Sequence, residues 1–296
     1  MVPFLLIAAF VAALLAATYR AGVRALIAPE FERSSITPAD HGLPYEDVWF
    51  TSSDGLRLHG WLVPAPTPRG TVIFCHGHGG SPAPDLCYVP AFRDRGLSVL
   101  LIDFRGHGQS EGRFTSLGYY ERRDLLGAIA CLQERGIHRV GVLGFSMGAA
   151  VAMSTAPDAP AVAAVVADCG FAELWRTVAA GARDRGIPRA LAGPTGRLVV
   201  GLASLRLGAP LWRADPIRHV ARVSPRPLLI IQGGADPYVP ASEAKRLFAA
   251  AGDPKELWLV PEAGHRAVDQ IQPEAYHARV VGFFEKELGK RRNGGK

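Results

Sequence analysis

Ser146, Asp236 and His265 are the residues of this 296-residue chain whose types and settings best suit bond breaking. Ser146 lies in Gly144-Phe145-Ser146-Met147-Gly148, after the aliphatic run Val140-Gly141-Val142-Leu143 and before Ala149-Ala150. That order suits a strand, a sharp turn and a helix. Glycines on both sides leave room for so tight a turn, which lifts the hydroxyl clear of the sheet. The helix that follows aims its first amides at any negative charge formed there. A serine hydroxyl is a weak nucleophile alone. It needs a base, a group that orients the base, and donors for an oxyanion. Asp236 follows the apolar run Pro227–Gln232, and His265 follows Glu256–Val260, so the order Ser, Asp, His is present with separations of 90 and 29 residues. Asp168, at the end of Val162–Ala167, is the second choice for the acid. His76-Gly77-His78-Gly79-Gly80 follows another strand-like run, and its glycines let backbone amides approach a substrate oxygen.

These residues need a scaffold that brings strand ends together. Glu46–Ser52 and Leu56–Val63 flank the turn signal Ser53-Asp54-Gly55 and are predicted as a hairpin. Six buried strands follow: Thr71–Cys75, Ser98–Ile102, Arg139–Leu143, Val162–Ala167, Pro227–Gln232 and Glu256–Val260. Helices are expected near Pro90–Arg95, Leu117–Arg135, Met147–Thr155, Ser242–Ala251 and Glu274–Leu288. This alternation predicts an α/β fold, a mostly parallel twisted sheet with helices on both faces. Open sheets of that kind build their sites at the carboxyl ends of strands, where all the candidates stand. One segment breaks the rhythm. Phe171–Val223 is long, helical in tendency and rich in arginine, and reads as a helical cap inserted after the sixth strand.

Met1 through Tyr19 carries no charged side chain, and Val2–Ala17 is almost wholly aliphatic. At ~1.5 Å per residue the run reaches about 25–30 Å, close to a bilayer's hydrocarbon thickness. It shows neither the basic start nor the A-x-A site of a cleaved leader. Residues 1–27 are therefore expected to form an N-terminal membrane anchor. Arg20 and Arg24 behind it would leave the rest of the chain on the cytoplasmic side. Residues 28–45 read as a linker, 46–289 as the α/β domain with its cap at about 171–223, and 290–296 as a basic tail.

Hydrophobic residues make up 48% of the chain and charged residues 20%, the balance of a folded protein rather than a disordered one. The formal net charge of +6 comes with no dense basic face or nucleic-acid motif, so no nucleic-acid partner is expected. Cys75, Cys87, Cys131 and Cys169 lack C-x-x-C spacing and read as free thiols. His76 and His78 lack the companions a metal site would need, so neither a metal nor a cofactor is expected.

Over about Glu46 to Leu288 the chain resembles the α/β-hydrolase superfamily. The resemblance rests on His76-Gly77-His78-Gly79-Gly80, Asp103-Phe104-Arg105-Gly106-His107-Gly108-Gln109-Ser110, Gly144-Phe145-Ser146-Met147-Gly148, Asp236-Pro237-Tyr238-Val239-Pro240 and Gly264-His265. Within the superfamily it is similar to serine aminopeptidase-type and membrane-anchored members. The resemblance implies Ser146 as nucleophile, His265 as general base and Asp236 as the acid, with the amides of Met147 and of His78 (or its neighbour Gly79) holding the oxyanion. It implies a small acyl substrate and an ester, thioester or amide bond cleaved through an acyl-enzyme. Elementary chemistry agrees, because two amides aimed at a developing oxyanion are worth about 3–4 kcal/mol each. Aminopeptidase and acyltransferase activities share that machinery. A catalytically silent binding or scaffold protein on the same fold is the non-enzymatic alternative.

Overall fold

A computed structural model describes residues 16–29 and 35–289 of the chain. Eight strands form one sheet: β1 Glu46–Thr51, β2 Arg57–Val63, β3 Gly70–Cys75, β4 Leu97–Ile102, β5 Val140–Phe145, β6 Val162–Asp168, β7 Leu228–Gly233 and β8 Lys255–Val260. Their order is β1-β2-β4-β3-β5-β6-β7-β8. β1 and β2 pair antiparallel, β2 joins β4 antiparallel, and all later pairings are parallel. The expected hairpin and six further strands are thus all present, but β8, at the sheet's edge, is only partly buried.

Alternation along the strands divides the core in two. In β3, Ile73 and Cys75 face one layer while Val72 and Phe74 face the other. The same division holds in β4, where Leu100 and Ile102 oppose Val99 and Leu101. Both faces need cover, and helices supply it. In chain order these are α1 Arg24–Ile27, α2 Val89–Asp94, α3 Glu121–Glu134, α4 Met147–Thr155, α5 Leu174–Asp184, α6 Arg189–Leu207, α7 Ala241–Ala250, α8 Val268–Ile271 and α9 Pro273–Gly289. Helix α3 starts four residues later than its pattern suggests. Leu117 and Gly118 have φ of +48° and +118°, which no helix accepts. Glu121 then collects the Ser116 and Gly118 amides and the Thr115 and Ser116 hydroxyls, tying the turn to the first helical residue.

Helices α5 and α6 form the cap between β6 and β7, where the insertion is expected, followed by short 3-10 turns to Val223. The expected membrane anchor has to be redrawn at its carboxyl side. Residues 1–15 lie outside the described residues, as does the basic tail 290–296. Tyr19–Val23 forms a π turn that runs into α1, and Val23 and Ile27 are buried in the same core cluster as Val199 and Ala203 of the cap. The Ile27 carbonyl also accepts the Thr115 amide at 3.1 Å. An apolar run can be satisfied by protein as well as by lipid, and here its last turns are part of the folded body. Among the described residues no helix is long and apolar enough to cross a membrane. The stretch expected as linker is also partly packed. Pro38–His41 is a 3-10 turn closed by a Thr37–Asp40 capping box, and Leu43 behind it is buried.

Candidate active site

Ser146 stands between β5 and α4 with φ +52° and ψ −111°, a backbone shape costing about 1–3 kcal/mol that only firm surroundings can hold. Its amide is tied to the Asp168 carbonyl of the neighbouring strand at 2.8 Å, and its carbonyl accepts the Ala149 and Ala150 amides. Gly148 is what permits the approach of α4. A Cβ there would run into the carbonyl of Cys75 at the end of β3. The sequence thus trades side chains for proximity, and the hydroxyl emerges at the sheet's carboxyl edge.

Two further strand ends supply its partners. His265 Nε2 lies 3.0 Å from Ser146 Oγ, and His265 Nδ1 lies 2.6 Å from Asp236 Oδ2. An ionised carboxylate only accepts, so Nδ1 carries the proton and Nε2 is left as acceptor for the serine hydroxyl. The Asp236 side chain is fully buried, and it is well provided for. Oδ1 accepts the Tyr238 and Val239 amides at 2.9 Å each, and Oδ2 accepts Gln232 Nε2 at 3.1 Å. Gln232 also donates to the Val239 carbonyl at 2.8 Å, pinning the loop to the strand beneath it. Sequence reasoning missed Gln232 as a functional residue. The available signal was a polar residue closing an aliphatic strand just before a candidate acid.

Asp168 is at the expected strand end but turned the other way. It takes the Tyr276 hydroxyl of α9 at 2.7 Å, and burial pushes its carboxyl above the usual range. The acid that meets His265 is Asp236. Cys169, next in the chain, has φ +55° and accepts the Arg266 amide on Sγ at 3.3 Å. Its sulfur, an Asp236 oxygen and a His265 nitrogen lie within 4.8 Å of one another, the one such group among the described residues with a donor set that could hold a cation. Burial raises this thiol well above its ordinary value, so it is a neutral wall beside two groups already bonded to each other. All four cysteines are free.

The loop after β3 approaches Ser146 from the other side, with the Gly77 α-carbon against the serine. Three histidines hold it. His76 donates Nδ1–H to the Gly77 carbonyl at 2.7 Å and accepts the Phe104 amide on Nε2 at 3.1 Å. Burial and the adjacent His107 push its pKa well below the usual value, so it stays neutral while bridging the two loops. His107, fully buried, donates to the Arg105 carbonyl at 2.9 Å and accepts the Gly79 amide at 3.3 Å. It closes a polar loop rather than lining a pocket. His78 donates Nε2–H to the carbonyl of Leu26 in α1 at 3.1 Å. Asp103 and Arg105 secure the second loop: Asp103 meets His59 at 3.0 Å, and Arg105 forks between Asp54 and Asp124 at 2.6–3.1 Å. Asp269 takes the Tyr88 hydroxyl at 2.8 Å.

The two cap tryptophans part company. Trp175 is half-buried between the guanidinium groups of Arg197 and Arg176, at 3.7 and 4.5 Å from its ring centre. Trp212 is exposed and borders an apolar groove with Leu198 and Leu205.

Comparison with known proteins agrees with the architecture. Residues 70–186 match a family model described as the alpha/beta hydrolase fold. The uncharacterized protein YqkD of Bacillus subtilis is 32% identical over 79% of this chain and 77% of its own length. The alpha/beta hydrolase domain-containing protein WAV2 of Arabidopsis thaliana is 29% identical over 87% of this chain and 84% of its own. Among solved structures, the Pyrococcus furiosus esterase Pf2001 superposes with a TM-score of 0.76 at 28% identity, covering 89% of this chain and 99% of the esterase.

Proposed function

The chain belongs to the α/β-hydrolase family, and on that premise we propose that it is a serine esterase working through an acyl-enzyme. The observation that carries this reading is the continuous relay from Ser146 Oγ through His265 to a buried, amide-held Asp236, with separations of 3.0 and 2.6 Å. In the proposed reaction His265 Nε2 takes the serine proton as Oγ attacks the acyl carbon. The carbonyl electrons move onto oxygen, and the amides of Met147 and His78 receive that charge. Asp236 keeps the imidazole in the acting tautomer and stabilises the imidazolium. His265 then hands its proton to the leaving alkoxide as the C–O bond breaks. A water molecule repeats the sequence on the acyl-enzyme and releases the acid. The serine proton thus leaves on the alcohol, and a water proton carried by His265 returns to Ser146 Oγ.

The choice of ester over amide draws support from the esterase likeness at 28% identity. The decisive experiment offers the full-length chain p-nitrophenyl esters of increasing acyl length beside aminoacyl amides. Turnover of esters with a chain-length optimum, lost in Ser146→Ala, is the expected result. Turnover of the amides alone would transfer the reading to a peptidase, and turnover undiminished in Ser146→Ala would end it.

A further inference from the structure

The outer face of the cap takes no part in that chemistry, yet its composition is unlike the rest of the molecule. Between Leu174 and Ala214 there are seven arginines and a single acid, Asp184. The chain has 33 basic and 27 acidic residues, so outside the cap 26 of each remain. The whole formal excess of +6 belongs to this one segment. Arg183, Arg185, Arg189, Arg206 and Arg213 are exposed, and among the described residues none of them has a carboxylate within ion-pair reach.

Exposed apolar side chains are concentrated in the same segment, with Arg206 and Arg213 next in the chain to two of them. Leu191, Leu198, Leu205 and Trp212 are 56%, 37%, 81% and 46% exposed. They recur every seven residues, two helical turns, so they form one stripe along α6 that continues onto the turn after it. Leu198, Leu205 and Trp212 border a shallow apolar groove of about 580 Å³. A solvated arginine face would normally intersperse its cations with acids and keep large aliphatic groups inward. Leucines and an indole flanked by unpaired guanidinium groups suit a different surroundings: a polar–apolar boundary with negative charge on its polar side.

The chain's own course points the same way. The segment ending in α1 packs on α6, with Gly22 against Val199 and Val23 buried. The uncharged sequence Met1–Thr18 leads directly into it. We infer that the outer face of the cap docks on an anionic lipid bilayer, with Leu191, Leu198, Leu205 and Trp212 in the interface and the surrounding arginines on headgroup phosphates. The inference is independent of the bond cleaved at Ser146.

Its test uses the full-length chain with vesicles of phosphatidylcholine alone or mixed with phosphatidylglycerol, some carrying brominated acyl chains. The chain should partition onto the anionic vesicles and be released by salt. Arg189→Glu with Arg206→Glu should lower partition by more than about tenfold, and Leu205→Asp should lower it further, while both variants keep wild-type activity on a soluble p-nitrophenyl ester. Of the five tryptophans only Trp212 lies on this stripe, so Trp212→Phe should abolish quenching by the brominated lipid. Equal binding by all variants, with quenching unchanged in Trp212→Phe, would assign any membrane contact to the preceding apolar sequence and overturn the proposal. A dimer in lipid-free buffer that Leu205→Asp dissolves, without vesicle binding, would give the face to a second copy and overturn it equally.

Discussion

The candidate site at the carboxyl edge of the sheet and the outer face of the cap are built on opposite plans. At the edge, the acid and the glycine loop are over-determined: Asp236 receives three donors besides His265, and three histidines brace one loop. On the cap, large apolar side chains stand in solvent beside cations that lack carboxylate partners. Within a protein, a region left so unfinished is a region addressed to something outside it. The edge is therefore expected to fail steeply when altered, and the cap to tolerate change in every property except what it touches.

Substitutions can break that contrast, and the largest effect belongs to the edge. Asp236→Asn should lower kcat for a p-nitrophenyl ester by about four orders of magnitude, because the imidazole is left in the wrong tautomer. The variant should keep its circular dichroism spectrum. A loss of under about tenfold would detach Asp236 from the relay.

The same small change made in each region should give opposite signs. Gly148→Ala drives a methyl group into the Cys75 carbonyl and should cost several kcal/mol, or prevent folding, as read by the urea midpoint. Gly201→Ala, on the open side of α6 with nothing within 4 Å, should instead stabilise by about 0.5–1 kcal/mol. Equal outcomes at the two glycines would erase the distinction between the regions.

Gln232→Leu occupies the middle ground. It keeps the volume but strips donors from Asp236 and from the Val239 carbonyl, leaving buried acceptors unmet at about 1–3 kcal/mol. Its signature should be a fall in kcat with KM little altered. A fall confined to thermal stability would make Gln232 structural alone.

The smallest effect lies in the hairpin, behind the loop that Asp103 secures. Burial by itself would lower the pKa of His59, but its bonds to Asp103 and Asp47 prevail and hold it above the ordinary value. A raised folded value stabilises fully below the unfolded value near ~6.5, and the benefit fades as pH rises through the folded one. The wild-type urea midpoint should therefore fall as pH rises above about 6.5, and His59→Gln should flatten that slope. An unchanged slope would remove His59 as its source.

How much of this was legible in the residues depended on range. Strands, cap position and the serine turn follow from local rules: alternation, aliphatic runs, and glycines that no other residue could replace at Gly144 and Gly148. Those rules put the carboxyl ends of β5, β7 and β8 on one edge of the sheet, and with them Ser146, Asp236 and His265. The bracing was not legible. His76 reaches Phe104 and His107 reaches Gly79 across 28 residues each, and His78 reaches back 52 residues to Leu26. Such bonds leave no periodic trace. The carboxyl end of the expected anchor was not legible for a related reason, since composition does not say that Val23 and Ile27 pack into the core that holds Val199.

The central claim is that Ser146 is made nucleophilic by the His265–Asp236 pair. It is tested most directly by treating the full-length chain with a fluorophosphonate and mapping the adduct by mass spectrometry. One phosphonyl group per chain is expected, on Ser146, formed far more slowly in His265→Ala and absent in Ser146→Ala. An unlabelled wild-type chain, or an adduct on another residue that persists in Ser146→Ala, would contradict it.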